Sequence, residues 1–100
     1  MTGSTYAFTA ELWEWEGKAA WHFISLPEDV TDEIDERHAA DAGGFGSVKV
    51  EVTIGSTTWQ TSIFPDSKRG TFILPVKKAV RTAEDLADGA TAEVRLRVLI

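Results

Sequence analysis

The sequence predicts a mainly β domain, with six strands closed or pseudo-closed into a barrel and two short helices capping it. Three observations carry that prediction. Apolar and polar residues alternate at period two along several short segments, as they do in strands with one buried face. A proline followed by a helical stretch occurs twice, at Pro27 and Pro75. The same order of elements occurs twice, over about 6–54 and about 57–100. One hundred residues make a single domain, 1–100, and six strands of this size cannot bury both faces as an open sheet.

The elements follow in order. Phe8, Ala10 and Leu12 point one way and Thr9, Glu11 and Trp13 the other, which gives a first strand. Gly17-Lys18 suggests a turn, and Trp21-His22-Phe23-Ile24-Ser25-Leu26 a second strand. Pro27 opens a helix in which Glu28 and Asp29 suit the positive end and Arg37 and His38 the negative end. Gly43-Gly44-Phe45-Gly46 reads as a helix stop and a left-handed turn, with Phe45 anchoring the loop. Val48, Val50, Val52 and Ile54 alternate strictly.

The second half begins with a strand over 57–64, with Trp59, Thr61 and Ile63 on one side. A loop, Pro65-Asp66-Ser67-Lys68-Arg69-Gly70, precedes the strand Thr71-Phe72-Ile73-Leu74. Pro75 opens a helix with Val76, Ala79, Val80 and Ala83 as its apolar face. Gly89 precedes a last strand through Val94, Leu96 and Val98. Aligning the halves pairs Phe23-Ile24-Ser25-Leu26-Pro27 with Phe72-Ile73-Leu74-Pro75, and Gly46 before Val48 with Gly89 before Val94. The pattern is that of a degenerate duplication.

Composition bounds the function. The chain has no cysteine, which excludes disulfides, thiolate catalysis and cysteine-ligated zinc. It shows no signal-peptide pattern and no apolar run of membrane-spanning length, so a soluble cytoplasmic protein is expected. The net charge of -6 opposes nucleic acid, but it is unevenly spread. Residues 1–46 carry ten acids against Lys18 and Arg37, a balance of -8. Residues 65–81 carry Lys68, Arg69, Lys77, Lys78 and Arg81 against Asp66, a balance of +4. A local basic patch governs the approach of a ligand more than the total does.

That patch is the first candidate site. In the second helix the cations come first and Glu84 and Asp85 last, the reverse of the dipole's preference, so Lys68, Arg69, Lys77, Lys78 and Arg81 form a candidate anion-binding set. The simpler alternative is a solvated face balanced by Glu84, Asp85 or the acidic first helix. Trp13, Trp15, Trp21 and Trp59 form a candidate aromatic surface for stacking on a ring or a partner, against burial beneath a helix. His22 and His38 share no spaced motif with a nucleophile or carboxylate, so no catalytic or metal-binding residues are assigned and no cofactor is expected.

Two resemblances add to this. The stretch FILPVKKAVRTAEDLADGATAEVRL resembles the strand–proline–helix–glycine–strand half of AbrB-like transcription factors and antitoxins, through Leu74, Pro75, Arg81, Leu86 and Gly89. The acid that usually follows the glycine is Ala90 here. More specifically, FTAELWEWEGKAAWHFISLP, GGFGSVKVEVTIG, TTWQTSIFPD and KRGTFILPVKKAVRTAEDLADG resemble a bacterial domain-of-unknown-function family, number nineteen-oh-five, over nearly the whole chain. That resemblance implies a double-split β-barrel distantly akin to the AbrB-like fold, and no established activity. The expected role is non-catalytic binding of an anionic small molecule or an acidic protein partner. The alternatives are a nucleic-acid-binding or antitoxin-like regulator, by fold analogy, and a small enzyme built around His22 and the tryptophans.

Overall fold

Alternation along the first strand becomes barrel closure because that strand serves two neighbours in turn. The computed structural model describes residues 4–17, 21–38 and 46–99. Its elements are β1 (Thr5–Glu14), β2 (His22–Ser25), α1 (Glu28–His38), β3 (Val48–Ile54), β4 (Thr57–Asp66), β5 (Thr71–Pro75), α2 (Lys78–Ala83) and β6 (Thr91–Val98). The strands close antiparallel in the order β1-β2-β5-β4-β3-β6. β1 pairs with β6 from Thr5 to Glu11 and with β2 from Leu12 to Glu14. β4 likewise pairs with β3 from Thr57 to Ile63 and with β5 from Phe64 to Asp66. Leu12 and Ile63 sit at these two changeovers and are 1% and 0% exposed.

The inward positions are those the alternation predicts. Val50, Val52, Ile54, Val94, Leu96 and Val98 are all buried, and they come from two strands paired at Val50↔Val98, Val52↔Leu96 and Ile54↔Val94. Val30 and Ile34 of α1, and Val76 and Val80 at α2, pack on the same core. The outer face of β3 and β6 carries a cross-strand pair, with Arg97 Nη2 donating to Glu51 Oε1 at 3.0 Å.

The duplicated plan is real, but its register differs from the sequence alignment. Trp13↔Phe23 and Glu14↔His22 in the first half correspond to Phe64↔Ile73 and Pro65↔Phe72 in the second. The Leu26 N–H donates to the Phe72 carbonyl as the Val76 N–H donates to the His22 carbonyl. The Thr31 N–H reaches Pro27 as the Arg81 N–H reaches Lys77. Phe23 is thus the counterpart of Ile73, not Phe72, and Pro27 that of Lys77, not Pro75. Phe8↔Val94 corresponds to Trp59↔Val52, so Val94 matches Val52 rather than Val48. A period-two pattern looks unchanged after a slide of two or four residues, which is how the shared Leu-Pro and the valine run misled the alignment.

α2 departs from expectation in the same way. Pro75 ends β5, Lys77 occupies the N-cap position and the helix proper is only Lys78–Ala83. Val76 and Val80 are buried, while Ala79 and Ala83 are exposed. The acids lie beyond the helix, with Glu84 as its C-cap. The predicted loop also begins later, because Pro65 and Asp66 still belong to β4. Asp66 does form the turn, its Oδ1 accepting from the Lys68 N–H at 3.0 Å. The predicted anchoring by Phe45 and the turn residue Lys18 lie outside the described residues. No helix among the described residues is long and apolar enough to cross a membrane.

Candidate functional site

The five cations of the predicted patch separate into two groups. Lys68 is exposed on the turn after β4, and Arg69 lies over the Trp13 ring, its guanidinium 3.7 Å from the ring centroid. Arg69 Nε also pairs with Asp66 Oδ2 at 3.4 Å, so this cation already has a carboxylate and a ring face. Lys77, Lys78 and Arg81 gather instead around a cleft beside α2. They form no ion pair among the described residues.

The tryptophans separate as well. Trp13, Trp15 and Trp21 lie on the outside of the barrel rather than beneath a helix. Trp13 packs on Phe23 with centroids 5.2 Å apart, Trp15 on Trp21 at 6.1 Å, and Trp21 on Phe23 at 6.4 Å. Trp13 Nε1 donates to Ser25 Oγ at 3.0 Å, which fixes that ring. Trp59 takes the opposite side, half-buried against the core. Trp21 and Trp59 meet at the cleft, and there the two predicted residue sets become one site.

The cleft has a volume of about 390 Å³, within the range of small-molecule sites. Phe23, Pro75 and Val76 make an apolar floor between Trp21 and Trp59, and His22 completes the wall. Lys77, Lys78 and Arg81 rim the α2 side. α2 is pinned at both ends, which holds that rim in place. The Val76 N–H donates to the His22 carbonyl at 2.9 Å before the helix. After it, Glu84 Oε2 accepts from Thr57 Oγ1 at 2.6 Å. Arg81 Nε turns inward to the Val76 carbonyl at 3.2 Å. Glu84, proposed from sequence to balance the cations, is therefore engaged with the β3–β4 turn instead.

The duplicated register shows what is special about this place. At the corresponding point of the other half, Thr31 stands where Arg81 does, and its Oγ1 accepts the Phe72 N–H at 3.2 Å. α1 has eleven residues and α2 six. The chemistry differs between the two halves. His22 replaces Phe72, and Trp21 replaces Thr71. Trp59, paired with Val52, replaces Phe8, paired with Val94. On the helix side Lys77, Lys78 and Arg81 stand in place of Pro27, Glu28 and Thr31. The first half is acidic at its helix start, with a cleft of about 420 Å³ beside Thr31, Thr71 and Phe72 that Asp32, Asp35 and Asp66 also line, and the second is tryptophan-lined and cationic.

His22, which the sequence offered as the centre of a small enzyme, lines the cleft. Its Nδ1 is buried and finds no hydrogen-bond partner among the described residues, a condition that costs roughly 1–3 kcal/mol. Its counterpart Phe72 is an apolar ring, 5% exposed. His22→Phe is expected to leave the protein as stable as wild type or more so, measured as a urea-unfolding midpoint. A clear loss would show that the imidazole is needed. His38 is buried at the end of α1, away from the cleft residues. Among the described residues no cluster of three His, Asp or Glu side chains is placed to hold a metal ion.

Comparison with known proteins shows a family and no activity. No curated protein matches the sequence. A family described as a domain of unknown function, DUF1905, matches residues 8–96. That span runs from β1 to β6 and contains both halves of the barrel and every residue lining the cleft. The chain therefore belongs to the DUF1905 family.

Proposed function

We propose that this protein is a binding domain that takes an anionic small molecule in the cleft between β2, β4 and α2. The observation that carries this reading is the meeting of Lys77, Lys78 and Arg81 with Trp21 and Trp59 around one open cleft, whereas the cleft beside Thr31, Thr71 and Phe72 in the other half is lined by Asp32, Asp35 and Asp66. The cations have no carboxylate partner among the described residues. A ligand anion would supply one in surroundings where apolar walls weaken screening. The six-residue α2 adds little dipole of its own, so the side chains carry the attraction.

The test is melting temperature against a panel of phosphorylated and carboxylated metabolites, each with a neutral analogue. Wild type is expected to show a saturable rise with at least one anion class, lost in Lys77→Ala/Lys78→Ala. Both lysines are exposed, so the double variant should fold normally. A rise that persists undiminished in that variant, or no rise with any anion, would remove this reading.

A further inference from the structure

Resting on the cleft's role as an anion site, we infer that its ligand is a planar aromatic ring bearing a single anionic group. An aryl carboxylate and a nucleoside monophosphate share this chemistry. A bare inorganic anion does not suit the space. Its attraction would be to Lys77, Lys78 and Arg81 on one side, leaving the floor of Phe23, Pro75 and Val76 uncovered. The volume of about 390 Å³ is also far beyond the roughly 30 Å³ share of a water-sized occupant. An anion with an apolar body satisfies both sides at once.

The walls argue for a flat ring over an aliphatic chain. Trp21 is 61% exposed, yet it is braced by Trp15 at 6.1 Å and, nearly edge-on at 63°, by Phe23 at 6.4 Å. A braced, exposed indole loses little freedom when a second ring stacks on it. Trp59 faces the same cleft from β4 and is held against the core. In the other half the positions of Trp21 and Trp59 carry Thr71 and Phe8. The two indoles and the cationic rim thus occur together on the α2 side.

The experiment is calorimetric titration of the full chain with indole-3-acetate, adenosine monophosphate, octanoate, inorganic phosphate and neutral indole. At least one of the two aromatic anions is expected to bind ten-fold or more tightly than phosphate, octanoate and indole. Which of the two does so distinguishes a carboxylate from a phosphate ester. Trp21→Ala, at an exposed position, should abolish that advantage, and Trp59→Leu provides a second check from the opposite wall. Equal affinity for octanoate and the aromatic anions would overturn the ring selectivity while leaving an anion site. Equal affinity for neutral indole, or no binding by any anion, would overturn both readings.

Discussion

Leu12→Ala and Ile63→Ala are each expected to destabilise the fold by about 2–5 kcal/mol, the range for truncating a large buried aliphatic side chain. For a domain of this size each kcal/mol lowers the melting temperature by roughly 4–8 °C, so the shift should be on the order of 8–40 °C. The two positions stand out among the buried residues because each lies where a long strand leaves one neighbour for the next. At Leu12 the N–H donates to the Ala90 carbonyl and the carbonyl accepts from the Gly89 N–H, both just before β6, while its register partner Ile24 lies on β2. A cavity there lies between backbones fixed by different ladders and cannot collapse easily. Thr9→Ala, on the exposed face of the same strand, should change stability by no more than about 0.5 kcal/mol. A loss below about 1 kcal/mol at Leu12 or Ile63, measured by urea unfolding, would contradict their placement at the centre of the core.

Gly55→Ala is expected to cost roughly 2–4 kcal/mol, from backbone strain and a displaced charged hydrogen bond. Gly55 and Ser56 form the two-residue turn between Ile54 and Thr57, and Gly55 has φ 59°. Ser56 has no positive φ, so the turn needs glycine at its first central position. A Cβ at Gly55 would also occupy the place of the Glu84 carboxylate. Glu84 would have to swing away and release Thr57 Oγ1, which frees the end of α2. Glu84→Gln, which keeps the shape and loses the charge, should cost less than Gly55→Ala. Adding Glu84→Ala to Gly55→Ala should cost less than the two separate effects combined, because both remove the same bond. Additive losses would show that Glu84 and Gly55 act independently.

Most of the barrel was legible in the sequence because one-sided burial leaves a period-two trace. Val48 to Ile54 and Val94 to Val98 were read with the correct faces, and the repeated order of elements pointed to closure. Register was less legible, since Leu26-Pro27 and Leu74-Pro75 match as letters while the ladders make Leu26 the equivalent of Val76. That slide hid the most informative comparison in the chain, in which Lys78 stands opposite Glu28 and His22 opposite Phe72. The basic cluster was visible as charge, but its division was not. Whether Arg69 turns toward Trp13 or toward Lys77 depends on a turn that propensity cannot orient. Ala79 and Ala83 fell on a helical stripe, yet α2 is too short and too peripheral to bury them. The joining of Trp59 to Trp21 needed the third dimension, because β2 and β4 are separated in the barrel by β5.

That the cationic cleft beside α2 holds an aromatic anion, where the acidic cleft beside α1 does not, is tested most directly by an NMR titration. The amide and indole N–H signals would be followed as indole-3-acetate, and separately adenosine monophosphate, is added. Saturable shifts, with one shared midpoint, are expected at the Trp21 and Trp59 indoles and at the amides of Lys77, Lys78 and Arg81. The amides of Thr31 and Phe72, at the acidic counterpart, should stay unchanged. Shifts centred on Trp13 and Arg69, equal shifts at both halves, or none at the cleft would contradict it.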